Sequence, residues 1–472
     1  MKKTKIICSI GPSSCDPNVM EQLVHNGMDV ARINFSHATL EEKEGVMASV
    51  KEVRRRTGVP VAVLYDTKGP EFRSGMTLTG EINLVEGKTI KVIKEDVLGT
   101  EEKFTVNFPK ALDGLSKGDI ILLENGLMKL EVIDKNDNAT EGGVICKIIN
   151  GGVLGNKKSL NVPGVKLEMP FISEVDKEDI IYACLHEGDF LACSFVSSKE
   201  DVLEVRNILK EHNREDLKII SKIESSTGVD NIDEIIEASD GIMVARGDLG
   251  VEMPMHELPI LQKLMIQKCR EQGKFCIVAT EMLASMSKSS RPTRAEVSDI
   301  ANAVLDGTDA VMLSGETTVG KYPTEAVGYM ADIVSNTEDY IDYQSLPPVV
   351  LKADITDTIA RGVVDAADML DVKVIGAATM SGLTARKISN LKPECIILAA
   401  CPTEKVARSL ALNWGVYSVI VPIYNSTDEV IEGVKLAAID YLNLKKGDIM
   451  IITGGFPANT QIQTNLMKVE EI

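Results

Sequence analysis

Short apolar runs recur through residue 314, and most are followed by a longer segment in which apolar residues return every three or four positions. The short runs have the length of buried strands and the longer segments have the period of amphipathic helices, so the pattern predicts βα units. Eight strands are predicted, at residues 4–9, 29–33, 61–65, 190–196, 218–224, 241–246, 275–280 and 310–314. Eight such units close into a (β/α)8 TIM barrel, whose active site lies at the carboxyl ends of the strands. The same period also fits an open, doubly wound sheet, and periodicity alone does not separate the two folds.

The third unit breaks this rhythm. Its strand ends near Asp66, yet the helix that should follow begins only near Ser173. The residues between them are rich in Gly and Asn and contain short runs of alternating apolar and polar residues, which favour a small all-β unit inserted into the barrel. An insertion after a barrel strand overhangs the active-site face, where it can act as a lid. The pattern therefore predicts a barrel domain over residues 1–69 and 170–345 and a β lid domain over residues 70–169.

A third pattern begins after Leu346-Pro347-Pro348. A helical segment is followed by four apolar strands that alternate with helices, and a final run, NLMKVEEI, has the pattern of an edge strand. This order predicts a separate α/β domain over residues 346–472.

Charge and composition exclude several classes of protein. The formal net charge of −19 disfavours nucleic acid or an anionic membrane as the main partner, because there is no overall attraction to either. The nine cysteines form no C-x-x-C pair or zinc-type cluster, which fits a reducing compartment without disulfides. The apolar run near the start is too short for a signal peptide, and no run approaches a membrane span. We therefore expect a cytoplasmic protein.

The most informative chemistry lies at the ends of the fifth and sixth predicted strands. Lys222 and Glu224 are two residues apart on a strand, so their side chains share a face, and Asp248 follows the next strand. Two carboxylates beside a lysine suit Mg²⁺, which takes few carboxylates and completes its shell with water and substrate oxygens. Gly247 allows a ligand to approach the backbone closely. The simpler alternatives are an ion pair inside the barrel for Lys222 and Glu224, and an ordinary turn at residues 246–248.

Polar side chains also follow other predicted strands. Each could be only a turn or cap residue, but together they supply oxygen ligands for a hard cation, an arginine for phosphate and a hydroxyl that could relay a proton. They are Arg32, Asn34, Ser36, Asp66, Thr67 and Thr280. The set predicts a metal-rich phosphate site.

Several long stretches around these residues resemble the pyruvate kinase family. They include TKIICSIGPSS, VARINFSH, DTKGPEFR, LGNKKSLNVPG, SKIES, GIMVARGDLG, SRPTRAEVSDIANAVLDGTDAVMLSGET and GKYPTEAV. The resemblance implies transfer of the phosphoryl group of phosphoenolpyruvate to ADP, which yields pyruvate and ATP. It implies the same barrel, lid and carboxy-terminal domain that the pattern predicts.

The resemblance also implies roles for single residues. Mg²⁺ (or Mn²⁺) is expected on Glu224 and Asp248. Catalytic roles are expected for Lys222, Arg32, Thr280 and Arg73. Substrate contacts are expected from Arg32, Lys222, Gly247, Asp248 and Thr280. A K⁺ site is expected from Asn34, Ser36, Asp66 and Thr67, and nucleotide contacts from Asn34, His37, Arg73 and Lys158.

Two further expectations concern cations and regulation. Glu71 stands where family members that require K⁺ carry Glu, so the resemblance implies dependence on K⁺. The loop with Thr379, Ser381, Gly382 and Thr384 resembles the family's sugar-phosphate effector site. The loop TGGFPANTQIQTN lacks the Arg and the Trp that fructose-1,6-bisphosphate-activated animal forms carry there, which leaves a sugar monophosphate open as the effector.

Two other functions fit the same residues. One is another Mg²⁺-dependent barrel enzyme acting on pyruvate or phosphoenolpyruvate, such as an aldolase or a mutase, and the other is an inert barrel that senses sugar phosphates. The resemblance also implies a homotetramer, which one chain does not establish.

Overall fold

The computed structural model describes residues 1–36, 38–138, 140–165, 167–343, 346, 348–350, 354–457 and 463–472. The first three strands are Lys5–Ser9 (β1), Val30–Asn34 (β2) and Ala62–Asp66 (β3). Eight strands of the inserted segment follow: Glu81–Leu84 (β4), Thr89–Ile93 (β5), Lys103–Thr105 (β6), Ile120–Leu123 (β7), Met128–Lys135 (β8), Val144–Asn150 (β9), Gly152–Gly155 (β10) and Leu160–Asn161 (β11). The next five are Phe190–Cys193 (β12), Lys218–Ile223 (β13), Gly241–Ala245 (β14), Phe275–Ala279 (β15) and Ala310–Leu313 (β16). The last five are Val374–Ala378 (β17), Ile396–Cys401 (β18), Val416–Ile420 (β19), Ile449–Gly454 (β20) and Leu466–Glu471 (β21).

The helices are Pro17–His25 (α1), Leu40–Thr57 (α2), Glu174–Leu185 (α3), Lys199–Glu211 (α4), Ser226–Asp230 (α5), Ile232–Ala238 (α6), Arg246–Glu252 (α7), Leu258–Glu271 (α8), Arg294–Leu305 (α9), Gly315–Thr318 (α10), Pro323–Glu338 (α11), Ile355–Met369 (α12), Leu383–Asn390 (α13), Glu404–Arg408 (α14) and Thr427–Leu442 (α15). Short 3₁₀ helices lie at Pro109–Gly114 and Ala284–Ser287. Several helices begin at a capping box, in which a hydroxyl residue and an acidic residue satisfy each other's backbone N–H groups. These caps are at Thr39, Ser173, Ser198 and Thr293.

Eight strands close into a barrel in the order β1-β16-β15-β14-β13-β12-β3-β2, and β2 pairs with β1 to complete the circle. All of these pairs are parallel. The strands read as nearly continuous apolar runs because both of their faces are buried. Side chains such as Leu64, Ile220 and Ile277 fill the interior, while the other faces pack against the surrounding helices. The predicted barrel is confirmed and the open sheet is excluded.

The predicted fourth strand is three residues too long. It ends at Cys193 rather than at residue 196, because Phe195 adopts a left-handed conformation with φ 57° and leaves the strand direction. The sixth and seventh strands end one residue early for related reasons: α7 begins at Arg246, and Thr280 has φ 68°. Each deviation lies at the carboxyl end of a barrel strand.

The inserted segment forms a six-stranded sheet, β11-β7-β8-β9-β5-β6, and a two-stranded sheet, β10-β4. Both surround one apolar cluster that includes Phe104, Leu130 and Cys146. The carboxy-terminal part is a five-stranded sheet, β19-β18-β17-β20-β21, in which only β21 is antiparallel to its neighbour. The predicted edge strand is therefore confirmed. Within the described residues, no helix combines the length and the apolar character needed to cross a membrane.

Candidate active site

Lys222 lies at the centre of a cluster of charges at the mouth of the barrel. Its Nζ lies 2.9 Å from Glu224 Oε1 and 3.1 Å from Asp66 Oδ1. It also donates a hydrogen bond of 2.8 Å to Ser194 Oγ. Lys222 and Glu224 share a face because side chains alternate along β13, and closure of the barrel brings Asp66 to them from β3. Lys222 and Glu224 lie on one face, as their spacing predicts, and they form the ion pair that was the simpler alternative, with Asp66 beside them.

The surroundings of these groups shift their pKa values in opposite directions. Burial would lower the pKa of the Lys222 ammonium, but the carboxylates of Asp66 and Glu224 outweigh burial and raise it. Burial would raise the pKa of Asp66, but Arg32 and Lys222 hold it below the ordinary value. Burial raises the pKa of Glu224 to about 7, and the Asp248 carboxylate adds to that rise. Lys222 and Asp66 are therefore charged at neutral pH, while Glu224 holds its negative charge only weakly.

Asp248 lies next to Glu224. Burial raises the pKa of Asp248, and a hydrogen bond between the Asp248 and Glu224 carboxyl groups opposes part of that rise. The other oxygen of Glu224, Oε2, accepts a 2.7 Å hydrogen bond from the Phe195 N–H. Glu224 is buried and Asp248 is open to solvent at the mouth. Two carboxyl groups this close need a proton or a cation between them. They form the kind of oxygen set that Mg²⁺ uses, although no group of three or more His, Cys, Asp or Glu side chains suited to a metal occurs among the described residues.

Arg32 is fixed at the barrel mouth by Asp66 and Ser9. Its Nε donates to Asp66 Oδ2 at 2.7 Å, its Nη2 lies 2.7 Å from the same oxygen, and its Nη1 donates to Ser9 Oγ at 2.7 Å. Asn34 lies opposite Asp66 on the paired strand, so β2 and β3 present polar groups at the same level. The Asn34 Oδ1 accepts the Ser36 N–H at 3.0 Å, and Thr67 Oγ1 accepts the Ser194 N–H at 3.2 Å.

Gly247 follows β14 and Thr280 follows β15, and these two paired strands bring the residues into contact. The Gly247 N–H donates to Thr280 Oγ1 at 2.9 Å, and Arg246 Nη2 donates to the Thr280 carbonyl oxygen at 2.6 Å. Arg246 is anchored in turn by Asp299, at 2.7 Å. Thr280 and Glu281 both have left-handed backbones, a conformation that costs about 1–3 kcal/mol for residues other than Gly and concentrates at functional sites.

The lid contributes two cationic side chains. Arg73 donates two hydrogen bonds to Glu71, of 2.9 and 2.6 Å, and a third of 2.8 Å to the Lys157 carbonyl oxygen. Lys158 pairs with Glu124 at 2.5 Å. Both cations line a cavity of about 580 Å³ that also contacts Asp248 and Ser36. The lid and the barrel therefore share one cleft, while the predicted nucleotide contact His37 lies outside the described residues.

Two residues of the site were not predicted from the sequence. Ser194 is buried and holds Lys222, with its own hydroxyl donating to the Thr67 carbonyl oxygen at 2.6 Å. Ser9 holds Arg32. Both residues lie at the carboxyl ends of barrel strands, and that position could have marked them as site residues. Ser194 was missed because the predicted strand 190–196 placed it inside the strand.

Comparison with known proteins identifies the family. The family model of the pyruvate kinase barrel domain matches residues 1–327, and that of the pyruvate kinase alpha/beta domain matches residues 357–470. The chain belongs to the pyruvate kinase family. A pyruvate kinase of Geobacillus stearothermophilus is 47% identical over 476 residues, covering 100% of this chain and 80% of the relative. One of Clostridium acetobutylicum is 42% identical over 477 residues and is covered in full, as is this chain. The crystal structure of a pyruvate kinase from Cryptosporidium parvum superimposes with a TM-score of 0.93 at 37% identity, covering 100% of this chain and 96% of that one.

Membership of the pyruvate kinase family sets the reaction class. The chain is a phosphotransferase whose substrates are phosphoenolpyruvate and ADP and whose products are pyruvate and ATP, and pyruvate kinases need metal ions. The family favours this reaction over both the aldolase or mutase alternative and the inert sensor.

The loop that the family resemblance predicts to bind a sugar phosphate connects β17 to α13, and Thr384 lies in the first turn of α13. Gly382 has φ 82°, and no side chain caps α13. The Thr384 hydroxyl forms a buried 2.8 Å hydrogen bond with the Thr464 hydroxyl, while Thr379 is buried and Ser381 is exposed. Of the hydroxyls in the predicted set, Thr384 is thus engaged inside the protein. Residues 458–462 of the opposing loop lie outside the described residues.

Proposed function

We propose that the barrel mouth is the catalytic centre for phosphoryl transfer from phosphoenolpyruvate to ADP. The observation that supports this most strongly is the Lys222 ammonium, held between Asp66 and Glu224 with Asp248 beside them. An oxygen of the ADP terminal phosphate attacks phosphorus, the bond from phosphorus to the enol oxygen breaks, and that bond's electron pair passes to the enolate. Catalysis of such a transfer depends on positioning and on neutralising charge. Turnover of purified protein with phosphoenolpyruvate and ADP in an assay coupled to pyruvate tests the proposal, and absence of turnover contradicts it.

The charged groups of the mouth take complementary roles in this proposal. Lys222 neutralises the phosphoryl group in transit and the enolate left behind, while Arg32 and Arg73 bind phosphate oxygens. Glu224 and Asp248 would hold Mg²⁺ or Mn²⁺, which supplies charge neutralisation at the phosphate oxygens when bound. Arg73 and Lys158 line the cavity where ADP would lie, and Asn34 and His37 complete the proposed nucleotide contacts.

Thr280 is proposed to deliver the proton that the enolate carbon takes up. Its hydroxyl accepts the Gly247 N–H, and that contact places the hydroxyl beside the backbone of Gly247 and Asp248, where the substrate carboxylate would bind. A hydroxyl of ordinary pKa is a weak acid, so the proton comes through Thr280 or through a water bound to it.

Ser194 is proposed to position the Lys222 ammonium. Ser194→Ala should lower kcat about tenfold with little change in KM for phosphoenolpyruvate, because a hydrogen bond to a charged group contributes about 1.5–3 kcal/mol. Steady-state kinetics over a range of phosphoenolpyruvate concentrations measures the split between kcat and KM. The matched control is Ser221→Ala, which removes a buried hydroxyl on β13 that bonds Ser239 rather than Lys222. Equal losses of kcat in the two variants would contradict this role.

A monovalent cation is proposed at Asn34, Ser36, Asp66 and Thr67. These residues offer carboxylate, carboxamide and hydroxyl oxygens, which suit a hard cation. Glu71 adds negative charge on the lid, shared by Arg73 and Lys68. In the family, a lysine at the position of Glu71 would supply a positive charge in place of the monovalent cation. This chain carries Glu71 there, so we expect turnover to depend on K⁺. Initial velocities in K⁺ and in Na⁺ at equal ionic strength measure this, and equal velocities would refute it.

A sugar-phosphate effector is proposed at the loop of Thr379, Ser381, Gly382 and Thr384. The exposed Ser381 and the left-handed Gly382 support it. We expect a sugar phosphate, either a monophosphate or fructose 1,6-bisphosphate, to lower the phosphoenolpyruvate concentration needed for half-maximal velocity, and Ser381→Ala to weaken that effect. Velocity curves with a panel of sugar mono- and bisphosphates check this, and a panel without effect argues against the site.

Three further proposals concern organisation. The separate apolar clusters of residues 72–162 and of the carboxy-terminal sheet support domains over 1–69 with 170–345, over 70–169 and over 346–472. A homotetramer is proposed from the family resemblance, and sedimentation analysis of the purified chain tests it. A cytoplasmic location is proposed because the nine cysteines form no C-x-x-C pair or zinc-type cluster, which fits a reducing compartment.

A further inference from the structure

A second cavity, of about 260 Å³, lies at the end of the barrel opposite the active site, between the barrel and α13. Lys218 opens β13 and Lys274 immediately precedes β15, so both belong to the amino-terminal end of the barrel. Arg386 and Lys387 of α13 line the other wall. Four cationic side chains thus converge in a chain whose net charge is −19.

The two carboxylates in this cavity are already neutralised by other groups. Asp240 accepts a hydrogen bond from Arg206 Nη2 at 3.1 Å and pairs with Lys218 at 3.3 Å. Asp357 pairs with Lys387 at 2.6 Å. Because Asp240 and Asp357 are paired with these other cations, neither forms an ion pair with Lys274 or Arg386.

In the described part of the chain, Lys274 and Arg386 make polar contacts only with backbone carbonyl oxygens, and neither lies within 4.0 Å of a carboxylate oxygen. Lys274 Nζ donates to the Ser239 carbonyl oxygen at 2.5 Å, and Arg386 Nη2 donates to that of Ser381 at 3.0 Å. Burial lowers the pKa of both groups below the ordinary values, despite the partial opposing effect of Asp240. An anion in the cavity would relieve this cost of burying two cations.

We infer that this cavity binds the phosphate group of a small anion, either inorganic phosphate or a phosphate ester. A guanidinium and an ammonium that face one space bind a tetrahedral oxyanion, the first through paired N–H groups and the second as a point charge. The volume is below the roughly 300 Å³ at which pockets for drug-sized ligands begin, so the ligand is small. The cavity differs from the proposed effector loop because Lys218 and Lys274 supply a barrel wall, whereas Arg386 also bonds to the Ser381 carbonyl oxygen of that loop. The inference does not depend on the proposed catalytic roles.

Equilibrium dialysis of the full chain against radiolabelled inorganic phosphate tests the inference. Saturating phosphoenolpyruvate without ADP is included, so that the catalytic mouth is occupied by substrate. Wild-type protein should retain a phosphate site, and Lys274→Met and Arg386→Gln should each weaken it about tenfold or more, because each removes a charge-assisted hydrogen bond. Lys373→Met is the matched control, since Lys373 is half exposed, pairs with Asp371 and lies outside the cavity lining. Thermal unfolding of every variant verifies that the fold is retained.

Two outcomes would overturn the inference. One is wild-type protein that binds no phosphate at millimolar concentration under these conditions. The other is a Lys274→Met variant that binds phosphate as tightly as wild-type protein does, even if Arg386→Gln binds it more weakly, because Arg386 also contacts the proposed effector loop. To identify the source of the phosphate group, a hexose monophosphate is added to the Thr379→Val variant, in which the proposed effector loop lacks one hydroxyl. Displacement of phosphate there supports a phosphate ester as ligand, and retention of phosphate supports the inorganic ion.

Discussion

Replacing Lys222 by methionine is expected to lower kcat for phosphoryl transfer about a thousandfold, the upper range for loss of one preorganised electrostatic group. The ammonium lies between Asp66 and Glu224 at the barrel mouth, and among the described residues no other lysine contacts both carboxylates. Without it, the phosphoryl group in transit and the enolate lose their nearest fixed positive charge and meet two carboxylates instead. The KM for phosphoenolpyruvate should change much less than kcat.

Steady-state assays on folded protein measure this loss, with Lys51→Met as control. Lys51 is 56% exposed and pairs with Glu187 on the outer surface, so its replacement removes the same charge from the chain without touching the mouth. Far-UV circular dichroism and thermal unfolding establish that the Lys222 variant folds. A folded Lys222→Met protein with a kcat within about tenfold of the wild type would show that this ammonium is not central to the transfer.

Most of the fold could be predicted from the sequence because parallel strands buried on both faces leave short, nearly continuous apolar runs between the amphipathic helical segments. The ends of those strands could not. Phe195 and Val196 are apolar like the residues of the strand, so the sequence pattern predicted a fourth strand that continues past the point where the backbone turns. The turn is set by tertiary contacts: Phe195 becomes left-handed and its N–H reaches Glu224 Oε2. Placing Ser194 inside a strand concealed its contact with Lys222.

The candidate site was predictable where it depends on spacing along one strand. Lys222 and Glu224 are two residues apart, and alternation alone puts them on one face. The central position of Asp66 was not predictable from spacing, because Asp66 reaches Lys222 only after β12 has inserted between β3 and β13 and the barrel has closed. The contact between the hydroxyls of Thr384 and Thr464, 80 residues later, was likewise not predictable from spacing.

Loss of the Asp66 charge is expected to destabilise the fold strongly. Its carboxylate is fully buried, receives Arg32 through two nitrogens and lies 3.1 Å from Lys222. Asp66→Asn keeps the shape of the side chain and removes its charge, which leaves two buried cations facing a neutral amide. Breaking a buried ion pair on one side costs about 3–5 kcal/mol, and the free energy of unfolding should fall by about that amount. Denaturant unfolding followed by circular dichroism measures it.

Glu52→Gln is the control that isolates burial from charge. Glu52 also pairs with two arginines, Arg55 and Arg56, but on the exposed surface of α2. Surface ion pairs contribute little because solvent screens them and the side chains lose entropy, so this variant should unfold at the wild-type midpoint. If Asp66→Asn unfolds at that midpoint as well, the Arg32–Asp66–Lys222 cluster does not stabilise the barrel. The three charges would then have to be held in place by the surrounding strands alone.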